Sequence, residues 1–162
     1  SSLMGISDKH IANVMKTFTG VEHRLENVAI IKDVTYINDS KATNLDSVSV
    51  AIQSFNKPVV LILGGRNKGA DFRLLLPHIK SSHVRDIISY GEAGGQISTA
   101  IGDAVRSVQV TDLNSAVKTA QRLAAPGDVV LLSPGCASFD QFANFEERGQ
   151  YFKTKVMEMM AA

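Results

Sequence analysis

The residues best suited to chemistry occupy the stretch Asn38-Asp39-Ser40-Lys41-Ala42-Thr43-Asn44, which combines a carboxylate, an amine and two hydroxyl groups. It follows Val34-Thr35-Tyr36-Ile37, a β-branched and aromatic run typical of a strand. After it, apolar residues recur at helical spacing: Leu45, Val48, Ile52 and Phe55. The polar stretch therefore lies at the carboxyl end of a predicted strand, where α/β proteins bind ligands.

Each polar residue of this stretch has a binding interpretation and a structural one. Asp39 suits the diol of a ribose, Lys41 suits a phosphate or carboxylate, and Thr43 suits an anion near a helix start. Alternatively, Thr43 or Asp39 caps the following helix while Lys41 stays in solvent. From the residues alone, both interpretations stand.

A second polar loop, Gly64-Gly65-Arg66-Asn67-Lys68-Gly69-Ala70-Asp71, follows a predicted buried strand. Its glycines allow a backbone to approach a ligand closely, and Lys68 is suited to hold a carboxylate. The alternative is a solvated lysine beside a helix cap. The loop matches neither the P-loop pattern nor the dinucleotide pattern G-x-G-x-x-G.

A third loop, residues 133–142, ends the last predicted strand, and we expect the final helix to start within it. The three-residue spacing of Ser138 and Gln141 predicts either a capping box or a helix start whose N–H groups bind a carboxylate. Cys136 is interpreted as a small buried thiol. Phe139, Phe142 and Phe145 are interpreted as core residues, one of which could close over a small ligand.

The elements that carry these loops alternate between strands and helices, which predicts an α/β fold. We expect a tight antiparallel hairpin, Asn27–Ile31 and Val34–Asn38 around Lys32-Asp33, followed by central parallel strands. These strands are predicted at 58–63, 84–90, 105–110 and 128–133, with helices at 72–79, 93–101 and 113–124. In such a mixed sheet the three polar loops converge at the carboxyl ends of strands.

Composition narrows the class of protein. The 162 residues, 44% hydrophobic and 20% charged, match one globular domain. A net charge of +1 without a basic run argues against nucleic-acid binding. One cysteine and no apolar run of about 18 residues predict a reducing, cytoplasmic setting away from membranes. The four histidines show no metal-ligand spacing.

Four segments together resemble the carboxy-terminal domain of the Mur ligases of peptidoglycan synthesis. They are His23-Arg24-Leu25-Glu26, residues 38–44, Gly64-Gly65 with residues 68–72, and residues 133–142 with Phe145, Arg148 and Gly149. The resemblance spans roughly residues 4–158. Residues 39–44 are similar to the members that add D-glutamate to UDP-N-acetylmuramoyl-L-alanine, and differ from those for other amino acids and from folylpolyglutamate synthetases.

The resemblance implies a Rossmann-like domain and specific contacts. It implies that Arg24 and Asp39 contact ATP, with Asp39 on the ribose, and that Thr43 and Lys68 hold the side-chain carboxylate of D-glutamate. Ser138, the backbone at Phe139, and Phe145 would hold the rest of the amino acid, and Lys41 would contact a phosphate. The partners implied are UDP-N-acetylmuramoyl-L-alanine, D-glutamate and ATP with Mg²⁺.

The resemblance also implies a piece of a longer protein, and we expect that protein to be a monomer. We expect residues 1–20, with a helix at Ser7–Phe18, to be the end of a central ATPase domain or a linker, and residues 21–162 to be the amino-acid-binding domain. The alternative is that this helix is the first helix of the amino-acid-binding domain. The P-loop and the magnesium ligands would lie on the central domain, so we expect this chain alone to be inactive and to supply no catalytic residue. The rival interpretations are a free-standing nucleotide- or amino-acid-binding module, and a related ligase for another amino acid or folate.

Overall fold

A computed structural model describes residues 21–161 of the chain. The helix predicted at Ser7–Phe18 and the segment 1–20 lie outside the described residues. Along the described part, strands and helices alternate as the sequence predicts.

Among residues 21–161, six strands form one mixed sheet. They are β1 (Glu26–Ile31), β2 (Val34–Asn38), β3 (Val59–Gly64), β4 (Val84–Tyr90), β5 (Arg106–Gln109) and β6 (Val129–Gly135), in the spatial order β1-β2-β6-β3-β4-β5. Only β1 and β2 pair antiparallel, and every other neighbouring pair is parallel. The predicted hairpin is confirmed: Lys32 and Asp33 have φ angles of 51° and 63°, as a tight two-residue turn requires.

Helices cover both faces of this sheet. They are α1 (Leu45–Gln53), α2 (Leu76–Lys80), α3 (Gly94–Ile101), α4 (Leu113–Leu123) and α5 (Phe145–Ala161). A 3-10 turn, Phe72–Leu75, runs directly into α2, and a second, Gly102–Ala104, follows α3. Aspartates cap two of these elements: Asp112 accepts from Ser115 N–H at the start of α4, and Asp71 accepts from Arg73 N–H at the first 3-10 turn.

The core has two halves, one on each face of the sheet. In the central strand β3, Leu61 and Leu63 pack with α1, α2 and α3 on one face. Val60 and Ile62 pack with α4 and α5 on the other. Both faces of β3 are therefore buried, which explains its uninterrupted apolar sequence. The three-layer, Rossmann-like architecture expected from the sequence is confirmed.

The prediction that all four later strands are central is wrong for β5. Among the described strands, β5 lies at the edge of the sheet and pairs with β4 alone. Arg106 and Gln109 are exposed at its two ends, and Ser107 and Val108 between them are half-buried. Its apolar content is too low for a strand buried on both faces.

Among residues 21–161, no helix combines the length and the apolar character needed to cross a membrane.

Candidate functional site

The three polar loops meet at the carboxyl ends of the central strands. Strands β2, β6 and β3 are parallel neighbours, so their carboxyl ends point the same way. Gly135 N–H donates to the Ala42 carbonyl at 2.8 Å, joining the third loop to the first. Arg66 and Ala137 exchange two backbone hydrogen bonds of 2.8 and 3.0 Å, joining the second loop to the third. The region that these three loops border, at the carboxyl ends of β2, β6 and β3, is called the crevice below.

Asp39 lies at the end of β2 and is 5% exposed. Its Oδ1 accepts from Leu25 N–H at 3.2 Å, and its Oδ2 accepts from the Ser133 hydroxyl at 2.8 Å. Burial raises the pKa of Asp39, and these two hydrogen bonds and the charge of Arg24 offset only part of that rise. The carboxylate is thus fixed from both sides while facing a groove.

The capping interpretation of the first loop is wrong. The side chain of Asn44 caps α1, because its Oδ1 accepts from Ser47 N–H at 2.9 Å. Neither Thr43 nor Asp39 occupies the position immediately before the helix, so neither is needed there. Lys41 is exposed, as that interpretation expected, but its ammonium lies 5.7 Å from the centre of the Phe145 ring, within range of a cation–π contact.

Arg24 reaches the same region from a turn with unusual backbone angles. His23 and Leu25 have φ angles of 62° and 43°, which non-glycine residues rarely adopt. Glu26 Oε2 accepts from His23 N–H at 3.0 Å, and Asp39 accepts from Leu25 N–H, so hydrogen bonds on both sides hold the turn. Arg24, Asp39 and Lys41 line one groove of about 350 Å³, the Arg24 groove, with Val50 and Ala51 of α1 on its apolar side.

Two glycines of the second loop, Gly64 and Gly65, allow neighbouring backbone segments to approach closely. A Cβ at Gly64 would lie 2.2 Å from the Tyr90 carbonyl oxygen, and one at Gly65 would lie 2.3 Å from that of Ala137. Asn67 braces the loop by accepting from Ala70 N–H and donating to Gln96, both at 2.8 Å. Lys68 is exposed on this braced loop, and its charge lies near Cys136 of the third loop.

The predicted helix start at Ser138 is wrong, because α5 begins at Phe145. Residues 138–141 form a turn in which the Ser138 carbonyl accepts from Gln141 N–H at 3.1 Å. Gln141 does not close a capping box: its side chain accepts from Leu113 N–H and donates to the Thr111 carbonyl, at the start of α4. Asn144 caps α5 instead, accepting from Glu147 N–H at 2.7 Å.

The Ser138 turn still offers hydrogen-bond donors. Ser138 is 2% exposed, whereas Phe139 is 60% exposed, so the prediction that Phe139 is a core residue is wrong. Within residues 21–161 the N–H groups of Phe139 and Asp140 have no acceptor. Two adjacent free N–H groups at a turn are suited to bind a carboxylate.

Phe145, the first residue of α5, contacts both the first loop and the turn that carries Arg24. Its carbonyl accepts from the Ser40 hydroxyl at 2.7 Å, and its ring meets the His23 ring edge-on at 6.1 Å. Phe145 thus links α5 to both the first loop and the Arg24 turn.

Cys136 is a buried structural residue, as the sequence predicts. It is 1% exposed, and burial raises the pKa of its thiol to about 12. A thiol with this pKa is almost entirely protonated at neutral pH and is a poor nucleophile.

Three residues that hold the loops together were missed by sequence reasoning. Arg148 donates to Ser40 and to Cys136, and Asp140 accepts from Glu92 N–H at 3.2 Å. For Arg148 a signal exists: it stands four residues before the buried Phe152, on the apolar face of α5. Ser40 and Asp140 carry no comparable signal.

The described residues suit a nucleotide better than a metal ion. Arg24 and Lys41 have no carboxylate within 4.0 Å among residues 21–161, so both cations are available to phosphates. In the same part of the chain, no group of three or more His, Cys, Asp or Glu residues could hold a metal ion.

Comparisons with known proteins identify relatives of this chain. A UDP-N-acetylmuramoylalanine–D-glutamate ligase of Lactobacillus delbrueckii subsp. bulgaricus is 47% identical over 161 residues, which are 98% of this chain and 35% of the relative. The chain thus spans about a third of the length of the curated relatives it matches.

Two solved structures share the fold at low identity. A UDP-N-acetylmuramate-alanine ligase from Thermotoga maritima has a TM-score of 0.68 at 13% identity and covers 97% of this chain and 34% of its own. A bifunctional folylpolyglutamate synthase/dihydrofolate synthase from Yersinia pestis, complexed with AMPPNP and a Mn ion, has a TM-score of 0.62 at 19% identity, over 99% of this chain and 36% of its own.

The family match covers most of the described fold and the first two loops of the crevice. Residues 23–136 match the protein family described as "Mur ligase, glutamate ligase domain". This range includes Arg24, Asp39, Thr43 and Lys68. The chain therefore belongs to the Mur ligase, glutamate ligase domain family.

Proposed function

We propose that this chain is the amino-acid-binding domain of an ATP-dependent ligase that joins D-glutamate to UDP-N-acetylmuramoyl-L-alanine in the cytoplasm, during peptidoglycan synthesis. The name of the Lactobacillus relative, with its 47% identity over almost the whole chain, supports the choice of substrates. Since the chain covers 35% of that relative, the remaining parts of the active site belong to the rest of the protein.

One observation carries the proposal: the crevice has anion-binding groups on opposite sides. Arg24 and Lys41 lie in the Arg24 groove, and Lys68 lies on the second loop, each without a carboxylate within 4.0 Å among residues 21–161. Free N–H groups at Phe139 and Asp140 lie on the third loop. A nucleotide and a dicarboxylic amino acid together require several such groups.

On the ribose side, Arg24 and Asp39 contact the nucleotide. The fixed carboxylate of Asp39 accepts hydrogen bonds from the ribose diol, and Arg24 balances negative charge on the phosphates. Lys41 contacts a phosphate from its position over Phe145. The ligands of the Mg²⁺ that accompanies ATP lie on the rest of the protein.

On the amino-acid side, Thr43 and Lys68 hold the side-chain carboxylate of D-glutamate. Ser138 and the Phe139 N–H hold the α-carboxylate, and Phe145 closes the pocket beside them. ATP supplies the phosphoryl group that activates the carboxylate of the sugar nucleotide. The residues of this chain hold the amine of D-glutamate against that carboxylate, and such alignment is worth about 7–11 kcal/mol of barrier.

The experiment compares two lysine variants in the intact enzyme, Lys68→Gln and Lys57→Gln. Lys57 is exposed in the turn before β3, at the amino end of that strand and therefore away from the crevice. Losing a charge-assisted hydrogen bond costs about 1.5–3 kcal/mol, so Lys68→Gln should raise the KM for D-glutamate about 10- to 100-fold. The KM for ATP should stay unchanged in both variants. An equal KM for D-glutamate in both variants would contradict the assignment of Lys68.

A further inference from the structure

Helix α5 carries a fully buried arginine that contacts two of the crevice loops at once. Arg148 is 0% exposed. Its Nε and Nη2 donate to the hydroxyl and the carbonyl of Ser40, at 2.9 and 2.8 Å. Its Nη1 donates to the carbonyl of Cys136 at 3.0 Å. One planar group therefore fixes the spacing between the first loop and the third.

Stability alone does not explain this arrangement. Within residues 21–161 no carboxylate lies within 4.0 Å of Arg148, so its charge is buried against neutral oxygens only. Burying a charge without a counter-ion costs free energy that an apolar side chain at the same helical position would not. The neighbours on this face of α5, Phe152 and Val156, are apolar and fully buried.

The two contact points lie beside the residues assigned to the two ligands. Ser40 stands between Asp39 and Lys41, on the nucleotide side. Cys136 stands two residues before Ser138, on the amino-acid side. The Ser40 hydroxyl also donates to the Phe145 carbonyl at 2.7 Å, so the start of α5 joins the same set of contacts.

We propose that Arg148 is a positioning residue that holds the nucleotide side and the amino-acid side of the crevice in register. The inference rests on the proposed function for the identity of the two ligands. The forked guanidinium reaches both loops simultaneously, whereas a lysine ammonium is a point charge on a flexible stem and cannot reproduce this geometry. Removing Arg148 should therefore weaken the binding of both ligands together, although Arg148 contacts neither.

The test uses the intact enzyme with Arg148→Lys, Arg148→Gln and the control Arg122→Gln, which changes an exposed arginine at the far end of α4. We measure kcat per folded enzyme and the KM values for ATP and for the amino acid. Both KM values should rise about tenfold or more in the Arg148 variants, because the groups that bind each ligand are displaced, and the same displacement should lower kcat. Arg122→Gln should match the unmodified enzyme.

Chemical rescue of a truncated variant distinguishes a positioning role of Arg148 from a role in stability alone. Arg148→Ala leaves a cavity of the shape of the lost side chain, and millimolar methylguanidinium should lower both KM values together. A residue needed only for stability would instead lower the amount of active enzyme and leave both KM values unchanged. If Arg148→Gln does not fold, the KM values of Arg148→Lys and the rescue of Arg148→Ala still distinguish the two roles.

Two results would overturn the proposal: unchanged KM values in folded Arg148→Lys, or a rise in only one of them. Failure of the proposed function is a separate outcome, because the unmodified enzyme would then not use D-glutamate. If that enzyme consumes a different amino acid, the same comparison is made with the KM for that amino acid.

Discussion

Replacing Gly149 with alanine should destabilise the chain, although alanine favours helices. A Cβ at this position in α5 would lie 2.2 Å from Nδ1 of His23, 2.8 Å from its Cε1 and 3.0 Å from its Cγ. His23 is 6% exposed, and its ring nitrogen lies 3.0 Å from Asn38 Nδ2. The Phe145 ring lies against it edge-on, so the imidazole has little room to retreat.

The expected size follows from three opposing effects. Overpacking a buried site costs about 1–3 kcal/mol, and loss of the Asn38–His23 hydrogen bond costs about 1 kcal/mol. Alanine in place of a helical glycine raises the free energy of unfolding by about 0.5–1 kcal/mol. The net loss in the free energy of unfolding is therefore about 1–3 kcal/mol, or roughly 2–4 °C in Tm for each kcal/mol.

Urea unfolding of the chain, with and without His23→Ala, tests this reasoning as a double-mutant cycle. Once the imidazole is removed, Gly149→Ala should become stabilising by about 0.5–1 kcal/mol. The change of sign identifies the clash with His23 as the cause. Gly149→Ala that stabilises the unmodified chain, or that costs the same in both backgrounds, would refute the reasoning.

Three further predictions concern the first loop and the sheet. Asn44→Ala should lower the free energy of unfolding by about 1 kcal/mol through loss of the α1 cap, whereas Thr43→Ala should leave it within about 0.5 kcal/mol in the same urea experiment. Burial raises the pKa of Asp39, so its charged form opposes folding at neutral pH. Asp39→Asn should therefore not lower stability, while calorimetry with a nucleotide on the intact enzyme should show affinity about tenfold weaker or worse. Burial raises the pKa of Asp86, but ion pairs with two arginines outweigh burial and hold it below the usual 3.8. Its stabilising contribution is complete above the unfolded value and is lost as the pH falls through the lower folded value, so Asp86→Asn should flatten the acid limb of a stability–pH curve.

Local sequence patterns predicted most of the fold. The hairpin and the strands β2 and β4 have the predicted bounds or lie within one residue of them, because β-branched runs and a two-residue turn are local signals. The start of α5 could not be predicted in this way. Ser138 and Gln141 have the spacing of a capping box, but Gln141 bonds to α4, which lies nearly 30 residues earlier in the chain.

The sequence predicted the three loops of the candidate site but not the contacts between them. Polar residues at strand ends identified the three loops, and the order of the strands placed those loops side by side. Arg148 and Ser40 are 108 residues apart in the chain, and no local pattern in either segment predicts their contact. The edge position of β5 depends likewise on strand order, which its own four residues do not determine.

The most direct test of the account is amino-acid-dependent ADP release by the intact protein that contains this chain. The protein is supplied with ATP, UDP-N-acetylmuramoyl-L-alanine and one amino acid at a time, and the product is identified by mass spectrometry. The account predicts ADP release with D-glutamate, and a product that carries one additional glutamyl residue. Release that depends on a different amino acid, or none with D-glutamate, would contradict it.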